Sequence, residues 1–359
     1  MDELFSIIIP TYNERDNITP LVEKIDEALS DDRYEIVFVD DNSRDGTAEV
    51  AEKLSKKYPV RVIVRRNERG LATAVIHGFK NTGGDIMAVM DADLQHPPHI
   101  LKDMLKAAAD DGTDMVIASR YVEGGSCEGW SLTRRIISKG AIFLSHLLLP
   151  RTRQISDPMS GFFLLRKSVL DGADLRPVGY KILLEVLMTG QFQKVAEVPY
   201  RFHIREREKS KLSAVQQIDY LKHLFSLMRR TGELTRFLKF CLVGASGVVV
   251  NEGLLWILHH FTGLPLALSS GISVETSIIT NFTLNDFFTF PDRRKAGIGS
   301  FLNRLLRFNA VSLVGLGINI GLLLLLTNVF HLYYLLSNLV GIAIAMLWNY
   351  AVNLGWTWK

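Results

Sequence analysis

The chain has 359 residues, 48% of them hydrophobic and 22% charged, with a formal net charge of +3. Such a length predicts more than one domain, and so small a net charge leaves no footprint for nucleic acid, which is not expected as a partner. A high hydrophobic share beside ordinary charge means segregation: most charge precedes Arg236 and long apolar runs follow it.

The opening "MDELFSIIIP" is acidic, with an apolar run too short for a signal peptide, and reads as a first β-strand. Further β-rich runs are "YEIVFVD", "VRVIVRR", "DIMAVMD" and "DMVIAS", with helical patterns such as "TAEVAEKLSKKY" and "TAVIHGFKN" between them. Such alternation predicts a parallel sheet covered on both faces, with ligands beyond the carboxyl ends of its strands. Asp40–Asp41 and Asp91–Asp93 both fall there. Neither G-x-G-x-x-G nor G-x-x-x-x-G-K-[ST] occurs, which argues against a dinucleotide enzyme and a P-loop NTPase. Cys127 and Cys241 stand in unrelated contexts, so no disulfide framework is implied.

Several local readings have bland alternatives. In "VMDADLQHPP", Asp91 and Asp93 point the same way if the strand continues through them, and a like-charged pair calls for a cation; the alternative is a turn capped by Asp93. His96, beside two prolines, is expected to be a solvated turn residue. In "PTYNERDN", Asn13 and Asp16 have capping-box spacing, and Asp45 and Thr47 in "DDNSRDGT" suit an Asx turn. The run "TRRIISKGAIFLSHLLLP" begins with Arg134, Arg135 and Lys139 and continues apolar. It is too short to span a bilayer and suits a helix of about 132–149 lying in the interface. "RFHIREREKSKL" reads as a solvated linker, and "SAVQQIDYLKHLFSLMRRTGE" as a second interfacial helix.

The second half is membrane-like. Spans are expected near Leu238–Leu258, Leu264–Leu284, Leu305–Leu326 and Leu335–Tyr350. It also repeats itself at a constant offset of 68: Phe240, Gly247, Asn251 and Gly253 match Phe308, Gly315, Asn319 and Gly321, and Asn281, Asn285 and Thr289 match Asn349, Asn353 and Thr357. Paired intramembrane asparagines argue for a duplicated two-helix unit. Arg293, Arg294, Lys295, Arg304 and Arg307 in the central loop, against no Lys or Arg in "HHFTGLP" and "NVFHLYY", predict that loop, both termini and the first half on the cytoplasmic side. Glu252 and Glu275 within the spans are functional candidates whose repeat counterparts are Ile320 and Ala343.

"IIIPTYNERDN", "VDDNSRDGT", "GLATAVIHGF", "MDADLQHPP" and "DPMSGFF" together resemble the inverting family-2 glycosyltransferases of GT-A fold, most closely the dolichol- or polyprenyl-phosphate mannose and glucose synthases, over about residues 4–205. "RFLKFCLVG" and the N-x-x-x-N segments resemble a GtrA-like membrane domain. The resemblance implies an α/β, Rossmann-like, mostly parallel catalytic domain over 1–210, a linker over 211–235, and a four-helix domain of two duplicated hairpins over 236–359, with repeats at about 236–290 and 304–358.

It further implies that Asp91, Asp93 and Gln95 bind Mg²⁺ or Mn²⁺; oxygen donors at close spacing suit such hard cations, and the metal would join the carboxylates to a nucleotide diphosphate. By the same resemblance Pro10, Tyr12, Glu14, Asp41, Asp91, Arg205 and Lys211 contact the nucleotide sugar. Arg120, Arg134 and Ser138 grip the lipid phosphate, and Asp157 and Glu185 line the sugar site. Asp91, Asp93, Arg134 and Asp157 form the implied catalytic set. Transfer to a lipid phosphate needs no general base, because that oxygen is already anionic at neutral pH. The expected reaction moves mannose from GDP-mannose, or glucose from UDP-glucose, to dolichyl or polyprenyl phosphate in a multi-pass protein of the cell or endoplasmic reticulum membrane. A lipid-linked sugar transporter is the rival of another class. A processive polysaccharide synthase is disfavoured by the lack of Q-x-x-R-W.

Overall fold

The computed structural model describes residues 3–110, 112–202 and 214–359. The chain divides into two compact units, Met1–Leu227 and Met228–Lys359.

The first unit runs β1 (Phe5–Thr11), α1 (Arg15–Leu29), β2 (Tyr34–Asp40), α2 (Thr47–Leu54), β3 (Val60–Val64), α3 (Leu71–Asn81), β4 (Ile86–Val89), α4 (Ile100–Ala108), β5 (Thr113–Ser119), β6 (Ser126–Cys127), α5 (Leu132–Leu148), β7 (Phe163–Arg166), α6 (Ile182–Thr189), β8 (Lys194–Pro199), β9 (Arg201–Phe202) and α7 (Ala214–Arg230). The large sheet has the order β3-β2-β1-β4-β7-β5-β8, and β6 pairs with β9. Within it every neighbouring pair is parallel except β4–β7 and β7–β5.

The near-continuous apolar strands follow from burial on both faces. Phe5, Ile7 and Ile9 of β1 pack with Ile18, Leu21 and Leu101 on one side, and Ile8 with Val75, Phe79 and Ile182 on the other. Each such side chain contributes roughly 1.5–3 kcal/mol by leaving water. The expected strands all form, with one correction: β4 ends at Val89, so Asp91 and Asp93 lie in a loop rather than on one strand face. The antiparallel β7, not foreseen, is a short insert paired with both β4 and β5.

The second unit contains α8 (Glu233–Thr262), α9 (Leu266–Leu284), α10 (Ile298–Asn328) and α11 (Tyr334–Val352); a wide helical turn follows α9 at Asn285–Thr289 and another follows α11 at Asn353–Thr357. Among the described residues three helices are long and apolar enough to cross a membrane: α8, α10 and α11 with its following turn. α9 falls short of that measure because its sequence is rich in Ser, Thr and Asn. Its Thr276, Thr280 and Thr283 hydroxyls donate to Ile272, Thr276 and Ile279 carbonyls at 2.7, 2.8 and 2.8 Å, which hides part of that polarity.

α8 packs closely on α9 and α10 on α11. A Cβ at Gly247 would collide with the Asn281 side chain, and one at Gly315 with that of Asn349. The Glu275 carboxylate accepts from Asn309 Nδ2 at 2.9 Å and Glu252 from Asn251 at 3.2 Å. At one end of this unit Asp286 is enclosed by Arg304 (2.8 and 3.0 Å) and Trp358 Nε1 (2.9 Å), among Phe240, Phe282, Phe290, Phe308 and Tyr350.

Candidate active site

Three of the four non-glycine residues with left-handed backbone among the described residues lie just beyond the carboxyl ends of central strands: Asn13 after β1, Asn42 after β2 and Leu94 after β4. Asparagine tolerates that conformation, but for leucine it costs on the order of 1–3 kcal/mol, a strain typical of functional loops. The sheet's carboxyl edge is therefore where this unit is specialised.

The loops after β1 and β2 are laced together. Asn13 does not cap α1; its N–H donates to Ser43 Oγ at 2.9 Å and its Oδ1 accepts from Arg44 N–H at 3.2 Å. Glu14 precedes α1, its N–H donating to Thr47 Oγ1 at 3.0 Å and its Oε2 accepting from Asn17 at 2.7 Å. The Asx turn at Asp45–Thr47 forms as expected, Thr47 N–H donating to Asp45 Oδ1 at 3.0 Å. Tyr12 is exposed under the Arg69 guanidinium, 5.0 Å from its ring centre, and Pro10 is buried within β1. Asp41 is almost enclosed. Arg65 donates to its Oδ1 through Nε at 2.8 Å and through a second nitrogen, and Gly70 N–H donates to its Oδ2 at 2.7 Å. Its immediate role is thus to hold the loop Arg65–Gly70.

The β4 loop carries Asp91, Asp93 and Gln95, all partly exposed. Asp93 forms an Asx turn, accepting from Gln95 N–H at 3.1 Å, and does not cap α4, which starts after His99. His96 is not the solvated turn residue expected. It is 2% exposed, stacked on Phe162 at 5.1 Å and edge-on to Tyr200 and Phe202. Its Nδ1 accepts from Asp91 N–H at 3.0 Å, so the ring is a neutral prop for the loop, and burial pushes its pKa below the ordinary value. Gly161 of "DPMSGFF" lies against both: a Cβ there would meet His96 Cε1 at 3.4 Å and Asp91 Oδ2 at 3.5 Å.

A cluster of cations lies nearby, with Arg120 and Arg134 5.7 and 5.9 Å from the ring centre of Phe202, the residue that also meets His96. Arg120, just past β5, donates to both oxygens of Asp157 at 2.7 and 2.8 Å, and its N–H to Asp157 Oδ2 at 3.2 Å. Burial alone would lower the Arg120 pKa, but the Asp157 bonds and charge more than offset it and raise it. Asp157 is fully enclosed, its turn fixed by Glu197, which accepts from Ser156 and Asp157 N–H at 2.8 and 3.2 Å. It faces Arg120 instead of an open sugar pocket. Arg134 opens α5, capped by Ser131, and lies 4.1 Å from the Trp130 ring centre, a ring Arg120 also approaches at 5.3 Å. Ser138 accepts from Tyr121 OH at 2.8 Å. Lys181 donates to Met159 O at 2.8 Å; burial first, then the Arg120 charge, bring its pKa down to about 8.

Glu185 is buried against His223 at 2.9 Å and away from solvent, so it is not an open site carboxylate. Arg205 and Lys211 lie outside the described residues. His96, Trp130 and Lys181 were missed by sequence reasoning. For His96 the following Pro97–Pro98, which lock the turn, were the available signal.

No cluster of three His, Cys, Asp or Glu side chains suited to a metal occurs among the described residues. The donors grouped at the β4 loop are two carboxylates and one amide, all oxygen, with the histidine's Nδ1 already engaged. That set fits a hard divalent cation completing its shell from a ligand.

Residues 6–172 match the family Glycosyl transferase family 2, and residues 239–358 match GtrA/DPMS, transmembrane domain. The solved mannosyl-3-phosphoglycerate synthase from Rubrobacter xylanophilus is similar in fold, with a TM-score of 0.50 at 21% identity over 64% of this chain and 76% of that one. The first unit is accordingly a GT-A-like, mostly parallel fold, and the second a helical membrane region. The dolichol-phosphate mannosyltransferase of Mycosarcoma maydis is 40% identical over 62% of this chain and 79% of its own length. That of Pyrococcus furiosus is 47% identical over 353 residues, spanning 98% of this chain and 99% of its own. A likeness that runs through both units at this identity leaves one assignment: the chain belongs to the dolichol-phosphate mannosyltransferase family.

Proposed function

We propose that the protein transfers mannose from GDP-mannose to dolichyl or polyprenyl phosphate with inversion, giving the β-linked lipid phosphosugar. The observation that carries this reading is the gathering of an oxygen-donor loop, Asp91–Gln95, and the arginines Arg120 and Arg134 around one ring: Phe202 lies 6.1 Å from the loop's His96 and 5.7 and 5.9 Å from the two guanidinium groups. The loop suits a metal–diphosphate and the arginines a phosphate monoester. Asp91, Asp93 and Gln95 would hold Mg²⁺ or Mn²⁺, which when bound supplies Lewis acidity toward the leaving diphosphate. The chain's own residues do the rest. His96 fixes the loop through Asp91 N–H. Arg134, stacked on Trp130, steers the acceptor phosphate, with Ser138 and the Asp157-anchored Arg120 beside it. Pro10, Tyr12, Glu14 and Asp41 frame the nucleotide side, Asp41 acting through the Arg65–Gly70 loop, and Arg205 and Lys211 are assigned to the diphosphate. No proton needs removing from a dianionic acceptor, so orientation and charge carry the step.

We assign 1–210 to the catalytic domain, 211–235 to an interfacial linker and 236–359 to the membrane domain. Two duplicated hairpins are supported by the facing of Gly247 with Asn281 and of Gly315 with Asn349 at the same offset, and α9 completes the first. Loop charge supports a cytoplasmic catalytic domain and termini. α5 exposes Leu132, Ile136 and Phe143 and α7 exposes Ile218, Leu221 and Phe225, helical spacings that suit contact with a membrane surface.

The test is incubation of purified protein with GDP-mannose or UDP-glucose and citronellyl phosphate, with Mn²⁺, followed by product identification. Mannosyl phosphate product of β configuration is expected. Glucosyl product would replace the donor assignment, and no lipid product with either donor would overturn the reading.

A further inference from the structure

Lys181 is placed where a cation is hard to keep. It sits at the amino end of α6, where the helix dipole disfavours positive charge. It is partly withdrawn from water, and Arg120 and Arg134 both act to discharge it. Among the described residues its Nζ makes one hydrogen bond, to the neutral Met159 carbonyl at 2.8 Å, and one cation–π contact, 4.7 Å from the Tyr180 ring centre, but no ion pair. Asp157, the nearest opposing charge by effect, already receives two Arg120 donors. Asp91 is assigned to the metal. One carbonyl and one ring face offset only part of the cost of such an ammonium, and an anion would complete its surroundings.

We propose that Lys181 is a phosphate-binding residue of the acceptor subsite: its ammonium, anchored to Met159 O, donates to the anionic oxygen of the prenyl phosphate beside Arg120 and Arg134. The Met159 bond aims Nζ from the "DPMSGFF" turn, the same turn that brings Gly161 against Asp91. The charges of Arg120, Arg134 and Asp91 all act on Lys181, so a phosphate held there is close to both the acceptor cations and the metal loop. The inference deepens the proposed reaction and rests on it for the identity of the anion.

The test separates charge from anchoring and acceptor from donor. Lys181→Gln can keep the bond to Met159 O and loses the charge; Lys181→Arg keeps the charge. Binding of citronellyl phosphate and, separately, of GDP–Mn²⁺ is measured by calorimetry on the full chain, with the melting temperature as a check on folding. Lys181→Gln is expected to weaken citronellyl phosphate binding by roughly tenfold or more, the scale of a charge-assisted phosphate contact, with GDP–Mn²⁺ binding within about twofold of wild type and recovery in Lys181→Arg. Unchanged citronellyl phosphate binding in Lys181→Gln overturns the inference, because a neutral anchor then suffices. An equal loss of GDP–Mn²⁺ binding also overturns it and moves the contact to the donor diphosphate. Failure of the transfer reaction itself shows differently: wild-type protein then yields no lipid product, while the binding comparison still reads Lys181.

Discussion

Asp91 and Asp93 were legible as a pair because two acids one residue apart after an apolar run are visible in the chain itself. Their surroundings were not. His96 is buried by Phe162, Tyr200 and Phe202, all distant in sequence, so no local pattern marks it as a prop rather than a surface histidine. Asp157 illustrates the same limit, since its partner Arg120 comes from the end of another strand. Two predictions belong at this scale. Asp93→Ala should abolish transfer while melting within a few degrees of wild type, because it removes an oxygen proposed to hold the metal from a partly exposed loop; activity surviving in that variant, or wild-type activity undiminished by EDTA, counts against the metal. Arg134→Ala should raise the acceptor KM about 10- to 150-fold, a loss of ~1.5–3 kcal/mol for a charge-assisted contact, with donor affinity unchanged. The rate should also fall as pH drops through the acceptor's second pKa near ~6, since protonation removes the nucleophilic charge. Profiles with phosphate and thiophosphate acceptors decide it: an acidic limb that does not move with the acceptor belongs to an enzyme group, and the base-free reaction is then wrong.

Helices α5 and α7 show what an element's pattern can and cannot reveal. The expected run of about 132–149 is a helix at Leu132–Leu148, with Ile142, Ser145 and Leu147 turned inward and Leu132, Ile136 and Phe143 outward. The basic start and apolar continuation pointed to an interfacial helix but not to which of its apolar residues would pack inward. The answer depends on α7, whose Tyr220 OH donates to Ala141 O at 2.6 Å. β7 was invisible because four residues give too short an alternation to separate from a loop. Ile136→Glu with Phe143→Glu should leave transfer to water-soluble citronellyl phosphate near wild type and lower transfer to long-chain prenyl phosphate in vesicles at least several-fold, since burial of each apolar side chain is worth roughly 1.5–3 kcal/mol. Equal loss on both acceptors would mean the face packs against protein.

At the scale of the whole molecule the composition break near Arg236 foretold two units, and the structure divides at Leu227 and Met228. Each has its own means of cohesion. The first has a sheet packed on both faces; the second ties Asp286, Arg304 and Trp358 together inside an aromatic cluster. Breaking that buried pair with Arg304→Ala should destabilise the second unit by up to about 3–5 kcal/mol, because the enclosed Asp286 carboxylate then keeps only the more distant Arg294 guanidinium at 3.8 Å and the Trp358 donor. Thermal unfolding in detergent should show an earlier transition, with GDP–Mn²⁺ binding intact. The same separation of roles predicts the behaviour of a shortened chain ending at Arg230, the last residue of α7. The four loops proposed to frame the donor side come from the first unit; those after β1, β2 and β3 are bonded to one another, by Asn13 to Ser43 and Arg44 and by Asp41 to Gly70, and the β4 loop is fixed within itself by Asp91 to His96. Donor binding should therefore survive at close to full-length affinity. Transfer to short soluble prenyl phosphate should persist, and transfer to long-chain acceptor in vesicles should drop by at least tenfold, because roughly three apolar spans of anchoring have been removed. Calorimetry with GDP–Mn²⁺ and a vesicle assay read the two arms. Lost nucleotide binding would mean that the donor site needs the second unit, and undiminished vesicle activity would mean that α5 and α7 alone hold the enzyme to the bilayer.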